Sequence, residues 1–351
     1  REVPEDIRKR LKLPAEDKGI DLIAETKAGE FWAIQCKYRE DARQSLSWRE
    51  VSTFTGLAFG VCQGISFGLI CSTTERITHV LKNQENIGFC ALDVWQRLDA
   101  EFFTRLRAAL GHKAAKIKPL KPRPHQVRAI RDAQDYFVGK KKRRGKMIMP
   151  CGTGKSLAAY WIARKLGAKK ILVAVPSLAL IRQTLKVWLR ESMAHGQDVD
   201  WICVCSDESA GRIGQDDVAV LRQDLGVPCL TDSGEIAAWL GKAKKGLAVV
   251  FTTYQSGEAI AKAAQKAKVR FDLGIMDEAH KTVGAKDKLF SHLLHDKNLP
   301  VRRRLFMTAT ERRYQGESDQ ILSMDDAEIY GDTFHLLSFK RALEYKPPIL
   351  S

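Results

Sequence analysis

A glycine-containing turn between an apolar run and a helical run constrains this chain more than any other feature. The turn, Met149-Pro150-Cys151-Gly152-Thr153-Gly154-Lys155-Ser156, follows Met147-Ile148 and precedes a helical pattern over residues 157–163. Gly152 and Gly154 can adopt positive φ, so several backbone N–H groups can converge on one anion, and the helix dipole adds to them. The stretch predicts a phosphate cradle in which Lys155 contacts the β- and γ-phosphates and Ser156 holds Mg²⁺.

The cradle departs from the usual pattern at one position. Met149 stands where the first glycine of such a motif is expected. A strand–turn–helix that binds nothing would show the same local pattern, so the interpretation depends on partner motifs further along the chain.

Composition favours a polyanionic partner. The chain has 351 residues, enough for two or three domains, and its 58 basic and 42 acidic residues give a net charge of +16. No apolar run approaches membrane-span length, and the first residues, Arg1-Glu2-Val3-Pro4, are neither a signal peptide nor a Met start, so a fragment is expected. The eight cysteines are scattered, and the one close pair, Cys203 and Cys205, suits a core strand better than a metal site. A reducing, cytoplasmic compartment is predicted.

Two polar side chains interrupt a predicted β-hairpin near the N-terminus. Residues 19–25 and 31–38 form the two strands, and the even positions of the second, from Trp32 to Tyr38, are all apolar. That alternation predicts that the even face is core and that Gln35 and Lys37 lie side by side on the other face, with Asp21 on the neighbouring strand. Polar groups in such a strand suggest a function.

A small α/β domain is predicted around this hairpin. The pattern indicates a helix over 48–59, a strand over 66–72, a helix from Glu75, a strand over 88–92 and a helix over 93–110. A lysine- and proline-rich stretch then indicates a linker.

The second half alternates apolar strands with helices, which is typical of a parallel, doubly wound sheet. Helices are expected after Lys155, Leu178 and Glu258, and residues 195–246 are interpreted as an irregular insertion. Strands are predicted at 146–149, 170–175, 201–205, 247–253, 273–276 and 304–307.

A carboxylate pair closes one of these strands. Asp277-Glu278-Ala279-His280 follows residues 273–276, at the strand end where doubly wound sheets bind ligands. Asp277 would hold Mg²⁺ through water and Glu278 would orient the attacking water for phosphoanhydride hydrolysis.

These motifs together resemble superfamily 2 helicases and translocases. The cradle, Asp-Glu-Ala-His and Thr308-Ala309-Thr310 are similar to their motifs I, II and III. Val175-Pro176-Ser177-Leu178 and residues 251–255 resemble two further motifs of the group. The resemblance covers about 122–310.

The resemblance implies roles for several residues. The segment Arg123-Pro124-His125-Gln126 resembles an adenine-reading motif, in which Gln126 reads the base. Thr308 and Thr310 would couple hydrolysis to DNA movement, and His280 would link the nucleotide and DNA sites. ATP and Mg²⁺ are the implied cofactors.

Asp21, Gln35 and Lys37 resemble the PD-(D/E)xK nuclease core in its Mrr-like form, where Gln replaces the middle acid. Asp21 and the Gln35 carbonyl oxygen can hold one Mg²⁺, and Lys37 can position or deprotonate a water for attack on a phosphodiester. The family often has a further acid from the first helix, for which Glu5, Asp6 and Glu16 are all open candidates. A structural hairpin with polar decoration is the alternative.

The whole arrangement resembles the N-terminal part of single-chain ATP-dependent restriction–modification enzymes, especially the Type ISP group. The resemblance implies a restriction-endonuclease-like α/β domain (1–110), a linker (111–122), a RecA-like doubly wound parallel-sheet domain (123–325) and a connection (326–351) to a second motor domain. Double-stranded DNA would be the partner. S-adenosylmethionine would be needed only if a methyltransferase follows.

Two other functions stay open. The chain could be a superfamily 2 helicase whose first domain binds nucleic acid without cutting it, or a non-catalytic scaffold of a defence complex. The resemblance also implies that arginines from the second motor domain complete the ATPase site, so slow hydrolysis is expected of residues 1–351 alone.

Overall fold

The computed structural model describes residues 3–14, 19–26, 28–74, 84–111, 117–205, 222–242, 246–285, 289–313, 321–345 and 347–349. The chain divides into two compact units. Unit 1 comprises residues 1–115 and 217–229, and unit 2 comprises residues 116–216 and 230–351. No helix in the described ranges is long and apolar enough to cross a membrane.

Unit 1 is built on a four-stranded sheet. Its elements are α1 (Glu5–Arg10), β1 (Leu22–Glu25), β2 (Phe31–Lys37), α2 (Trp48–Thr55), β3 (Ile65–Ser72), β4 (Ile87–Cys90), α3 (Leu92–Trp95) and α4 (Ala100–Leu110). The strand order is β1-β2-β3-β4. The predicted hairpin is confirmed as the antiparallel pair β1–β2, and β2, β3 and β4 run parallel.

The helices of unit 1 differ from the prediction in two places. Helix α2 begins behind a capping box of Ser47 and Glu50 and ends in a π-helical turn, Gly56–Val61. The single helix predicted over 93–110 is wrong because it is broken between α3 and α4, where Asp99 Oδ1 accepts a hydrogen bond from the Phe102 backbone N–H (2.7 Å) and starts the second helix. The helix predicted from Glu75 lies outside the described residues.

The prediction that the even-numbered residues of β2 face the core is wrong. Phe31, Ala33 and Gln35 are at most 2% exposed, whereas Tyr38 is 75% exposed. Ala33 belongs to a buried cluster with Phe54 of α2, so the helix covers the odd-numbered face. Gln35 and Lys37 therefore lie at the end of the core face of the strand and not on its outer face.

Unit 1 contains a segment from the middle of the sequence. The short 3-10 helix Arg222–Leu225 lies beside β4, where the Gln223 side-chain amide donates to the Gln84 carbonyl oxygen (3.4 Å). A Cβ atom added at Gly226, whose φ is +66°, would stand 3.3 Å from the Phe89 carbonyl oxygen. Part of the predicted insertion is thus built into the smaller unit.

Unit 2 contains an eight-stranded sheet. Its helices are α5 (Pro124–Gln134), α6 (Lys155–Lys165), α7 (Leu178–Ala194), α8 (Ser233–Gly241), α9 (Gly257–Lys266) and α10 (Phe339–Glu344). Its strands are β5 (Arg144–Ile148), β6 (Lys170–Val175), β7 (Val199–Val204), β8 (Cys229–Leu230, at the unit boundary), β9 (Leu247–Thr253), β10 (Phe271–Met276), β11 (Gly284–Ala285), β12 (Val301–Thr308), β13 (Ile321–Leu322) and β14 (Asp332–Leu336).

The main sheet has the parallel order expected of a doubly wound fold. Its strands run β14-β5-β12-β10-β6-β9-β7-β8, and the pairings from β14 to β7 are parallel. The six predicted strands are confirmed, with boundaries that shift by a few residues. Cys203 and Cys205 are fully buried, as a core strand requires. The carboxyl ends of β5, β10 and β12 meet at one edge, where the predicted site lies.

Several elements of unit 2 lie where none was predicted, among them helix α8 and strand β14. Helix α8 occupies the region interpreted as irregular, and its start is fixed by Asp232, whose Oδ1 accepts from the backbone N–H groups of Gly234 (2.8 Å) and Glu235 (2.9 Å). Strand β14 falls in the segment 326–351 that was assigned to a connection, yet it pairs with β5 and forms one edge of the sheet. Tyr330, just before it, is fully buried against Phe306.

Candidate nucleotide and nuclease sites

The phosphate cradle has the backbone geometry that its glycines predict. Gly152 (φ +80°) and Gly154 (φ +79°) both lie in the left-handed region between β5 and α6. The positive φ favours glycine at position 154, where a Cβ atom would also stand 2.5 Å from the Gln126 side-chain nitrogen and displace it. Thr153 is buried, and its hydroxyl donates to the Pro150 carbonyl oxygen (2.7 Å). The loop is thus held in shape by its own contacts.

The start of helix α5, which precedes β5, contacts the cradle through hydrogen bonds. Gln126 Nε2 donates to the carbonyl oxygens of Thr153 and Gly154 (3.3 Å each), and its Oε1 accepts from the Arg123 backbone N–H (2.8 Å). His125, to which no role was assigned, contacts the Thr153 carbonyl oxygen through Nε2 (2.9 Å). Burial lowers the pKa of His125, so a neutral ring donates this hydrogen bond.

Lys155 and Glu278 meet in the cradle. Their Nζ and Oε1 atoms are 3.3 Å apart, and their side chains are only 8% and 18% exposed. Ser156 follows in the first turn of α6 and is half-buried. Cys151 Sγ lies 3.9 Å from Lys155 Nζ. The structure therefore brings the predicted phosphate-binding lysine against the carboxylate predicted to orient water.

Asp277 is a buried carboxylate that suits a bound cation. It is 4% exposed, and the side-chain hydrogen bond that the structure describes for it comes from the Glu278 backbone N–H (2.9 Å). Burial, then the nearby charge of Glu278, raises the pKa of Asp277 to about 6, although Lys155 opposes the rise. A buried carboxylate with few hydrogen bonds to stabilise its charge favours a bound cation. Asp277 and Ser156 supply side-chain oxygens of the kind that bind Mg²⁺.

Replacement of Asp277 by asparagine is expected to stabilise the fold in a pH-dependent way. The folded protein holds the Asp277 proton more tightly than the unfolded chain, so the wild type is relatively most stable below the ordinary carboxyl pKa and loses stability as the pH rises through about 6. The variant escapes this loss and should gain up to roughly 3 kcal/mol above pH 7, with little gain near pH 4.

Denaturant unfolding from pH 4 to pH 8, with chelator present, measures this difference. Glu235→Gln, at an exposed position on α8, is the matched control and should show no such trend. A gain that is the same at every pH would mean that Asp277 carries no burial penalty.

Glu278 is held in a strained backbone conformation. Its φ of +47° is in the left-handed region, which costs a non-glycine residue of the order of 1–3 kcal/mol. Burial alone would raise the pKa of Glu278, but the His280 hydrogen bond and the Lys155 charge outweigh it and lower the pKa below its usual value. The carboxylate is therefore ionised and aimed at the cradle.

His280 joins the carboxylate segment to the end of β12. Its Nδ1 lies 3.0 Å from Thr308 Oγ1 and 3.4 Å from Glu278 Oε2. Thr308 Oγ1 also contacts the Thr310 carbonyl oxygen (2.7 Å) and backbone nitrogen (3.3 Å). A chain of polar contacts thus runs from Glu278 to the Thr-Ala-Thr segment.

Tyr254 supports the site although sequence reasoning did not single it out. Its hydroxyl donates to the Asp277 carbonyl oxygen (2.7 Å), and it is fully buried at the end of β9. Burial raises its pKa well above the usual value, so it stays a donor. The available signal was the position of Tyr254 directly after a continuous apolar strand.

The nuclease-like residues meet on unit 1. The antiparallel register that pairs Leu22 with Ile34 places Asp21 opposite Gln35, and Asp21 Oδ2 accepts from the Cys36 backbone N–H (2.5 Å). Lys37, two residues further along β2, is half-buried on the same strand face as Gln35. The structure therefore brings the three predicted side chains to one end of the hairpin.

Gln35 is oriented so that its carbonyl oxygen is free. Its Nε2 donates to the Gly19 carbonyl oxygen (2.9 Å), while Oε1 is buried without a hydrogen-bond partner in the described part of the chain. Gly19, whose φ is +118°, thus fixes which way the amide points, a role the sequence pattern did not indicate. An orphaned buried oxygen beside Asp21 fits a bound Mg²⁺.

The candidate acids of the first helix are exposed. Glu5 is paired with Lys9 (2.8 Å) on exposed α1, and Asp6 is exposed as well. Glu16 lies outside the described residues. Among the residues described, no three His, Cys, Asp or Glu side chains are grouped to hold a metal.

Two protein families match this chain, each over a different range of residues. Residues 119–313, more than half of the chain, match the family described as "Type III restriction enzyme, res subunit". The chain belongs to this family. Residues 3–88 match a second family, described as "Restriction endonuclease" of the Mrr type. The chain thus combines an Mrr-like restriction-endonuclease domain with a RecA-like helicase domain.

Two solved structures of Type ISP restriction–modification enzymes are similar to this chain. The Type ISP restriction–modification enzyme LlaBIII, bound to DNA, is 29% identical with a TM-score of 0.73, and the match covers 95% of this chain and 23% of that one. A nuclease-deletion mutant of the Type ISP enzyme LlaGI, in complex with a DNA substrate mimic, is 32% identical with a TM-score of 0.50 over 64% of this chain and 20% of that one.

A viral protein matches slightly more than half of this chain. A probable helicase of African swine fever virus is 30% identical over 193 residues, which is 54% of this chain and 19% of the viral protein. The chain therefore spans about a fifth of the length of its curated relatives and about a quarter of LlaBIII.

Proposed function

We propose that this chain is the nuclease and motor part of an ATP-dependent restriction enzyme that translocates on double-stranded DNA and cuts it. The proposal rests on the presence of two sites in one chain. The first is the cradle, where Lys155 contacts Glu278 beside Asp277. The second is the end of the hairpin, where Asp21 lies opposite Gln35 and near Lys37. Residues 1–110, together with the segment around Arg222–Leu225, would be the nuclease, and 111–122 would be the linker. The motor would run from 123 through β14, which pairs with β5. All eight cysteines lie in the described ranges and none forms a disulfide there, which suits the cytoplasm.

In the proposed ATPase site, Lys155 would exchange its contact with Glu278 for a contact with the nucleotide. The γ-phosphate of ATP competes with Glu278 for Lys155, so nucleotide binding would free the Glu278 carboxylate to orient the attacking water. Ser156 and Asp277 would hold Mg²⁺, which would neutralise charge on the phosphates. Because His280 contacts both Glu278 and Thr308, a change at the carboxylate can pass to the segment ending in Thr310. Gln126, behind the cradle, and Arg123 would contact the adenine.

The nuclease site would use the hairpin. Asp21 and Gln35 Oε1 would hold Mg²⁺, which would supply Lewis-acid activation of the scissile phosphodiester. Lys37, on the same strand face, would position that water or take its proton for attack on the phosphodiester. Replacement of a carboxylate by the Gln35 amide removes one negative charge, so metal binding at this site would be weaker than at a site with two acids.

Within the residues that the structure describes, only Asp21 and Gln35 are candidate metal ligands at the hairpin, and this favours a second possibility. In it, unit 1 binds DNA without cutting it, and the protein is a superfamily 2 helicase. DNA cleavage that is lost on Lys37→Ala separates the two functions, because a binding module would show no cleavage to lose.

The proposal is tested on the intact protein with linear duplex DNA. ATP hydrolysis should rise when duplex DNA is added, and cleavage should require both ATP and Mg²⁺. The matched comparison is Asp21→Asn, which should keep the stimulated ATPase. Hydrolysis that is insensitive to DNA, together with uncut DNA under all conditions, would contradict the proposal.

A further inference from the structure

We propose that His125 is a positioning residue for the phosphates of the bound nucleotide, a role that rests on the proposed motor function. The His125 ring holds the Thr153 carbonyl oxygen on one side of the cradle loop, so that the Gly154 N–H group on the other side faces the anion. This role does not depend on which base the nucleotide carries.

The start of helix α5 presents His125 to the loop. Pro124 occupies the first turn of the helix, where its ring fixes φ at a helical value without loss of a hydrogen bond. Gln126 Oε1 accepts from the Arg123 backbone N–H (2.8 Å), which closes a capping box at the same helix end. His125 lies between Pro124 and Gln126 and is 1% exposed, so a rigid helix start and close packing set its orientation.

The His125 ring directs its hydrogen bond to the cradle loop. Its Nε2 lies 2.9 Å from the Thr153 carbonyl oxygen, and a neutral ring that donates from Nε2 keeps its other nitrogen, Nδ1, as an acceptor. That Nδ1 atom is buried without a hydrogen-bond partner among the residues that the structure describes. Within the described part of the chain, the contact with Thr153 is therefore the hydrogen bond that this buried ring makes.

This contact sets the orientation of the peptide group between Thr153 and Gly154. Peptide bonds are almost always trans, and in a trans peptide the C=O of one residue and the N–H of the next point in opposite directions. The Thr153 carbonyl points to His125, so the Gly154 N–H points to the side of the loop that we assign to the phosphates. Loop N–H groups beside a helix start, here at Lys155, bind phosphate oxygens.

Gln126 is less suited to this task than His125. Its Nε2 donates to the carbonyl oxygens of Thr153 and Gly154 at 3.3 Å each, which is longer than the His125 contact. Under the proposed function Gln126 contacts the adenine, and an N–H group used for the base is lost to one of these carbonyls. The donor of the buried His125 ring stays with Thr153, so the loop keeps its shape in the nucleotide complex.

Calorimetric titration of the intact protein with ADP and with pyrophosphate, both in the presence of Mg²⁺, tests the proposal. The wild type should bind both ligands. His125→Phe keeps an aromatic ring but removes the donor, and should weaken both ligands by the same factor, about two- to tenfold, the scale of one hydrogen bond. His125→Gln places an amide N–H within similar reach and should restore most of the affinity. Val127→Ala, at an exposed position on the same helix, is the matched control and should bind both ligands normally.

Further variants separate the donor from the ring and from the base contact. Gln126→Ala should weaken ADP more than pyrophosphate, because it removes a base contact as well as the loop contacts. Melting curves without ligand establish that each variant is folded, and His125→Leu takes the place of His125→Phe if the latter does not fold.

Two results would overturn the role of His125. The first is pyrophosphate binding by the folded donor-free variant that is as tight as in the wild type, and the second is a His125→Gln variant that binds no better than His125→Phe. A wild type that binds neither ADP nor pyrophosphate would contradict the proposed function itself, and the role of His125 would fall with it.

Discussion

Replacement of Lys155 by alanine in the intact protein should reduce ATP hydrolysis by at least about a thousandfold, the scale seen when a preorganised group that stabilises transition-state charge is lost. Lys155 is the cation that the structure places inside the cradle, 3.3 Å from Glu278 and at the first position of α6. Alanine preserves the helix start while removing the ammonium that would meet the β- and γ-phosphates. Steady-state phosphate release with saturating duplex DNA measures the effect.

The fold should survive this substitution. Alanine is a good helix former, and the Glu278 carboxylate that loses its partner keeps its contact with His280. Lys165→Ala, at an exposed position on the same helix, is the matched control and should hydrolyse ATP at the wild-type rate. Circular dichroism should be the same for all three proteins. Unchanged turnover in Lys155→Ala would end the motor assignment.

Asp21→Asn should abolish DNA cleavage and leave DNA-stimulated ATP hydrolysis unchanged. Among the described residues, the Asp21 carboxylate is the negative charge that the hairpin offers to a metal beside Gln35 Oε1. Asparagine keeps an oxygen that can accept from the Cys36 backbone N–H, so the substitution removes charge without removing that contact. Loss of the charged ligand should weaken Mg²⁺ binding and reduce cleavage by at least about a hundredfold.

The two activities are measured in one reaction. Cleavage of linear duplex DNA and release of phosphate are followed together over a range of Mg²⁺ concentrations. Glu25→Gln, at the exposed far end of β1, is the control and should cut normally. If Asp21→Asn still cuts DNA at low Mg²⁺, the hairpin has a structural role and the nuclease centre lies elsewhere in the protein.

The motor site was largely predictable because its elements are locally encoded. Strands that are buried on both faces appear as continuous apolar runs, and so the predicted bounds of β6 and β9 match the structure. Gly152 and Gly154 are needed for positive φ whatever surrounds them. What no pattern indicated is the contact network, in which Gln126 fastens the loop and Tyr254 supports Asp277.

The hairpin shows where local patterns fail. Both faces of β2 carry apolar residues, Phe31 and Ala33 on one side and Trp32 and Ile34 on the other. Which face becomes core depends on the side that α2 covers, and this is a tertiary choice that alternation alone cannot decide. The larger aromatic residues made the even face the reasonable prediction, and the helix covers the other one.

The short 3-10 helix Arg222–Leu225 limits how unit 1 could be separated from the rest of the chain. The chain passes between the two units at three places, near residues 115, 216 and 229. A nuclease excised at the lysine–proline linker would leave behind the segment that lies beside β4, where Gly88 and Gly226 approach each other closely. Such an excised piece would have an incomplete edge. Exchange of the whole of unit 1 between related enzymes would need three junctions in place of one.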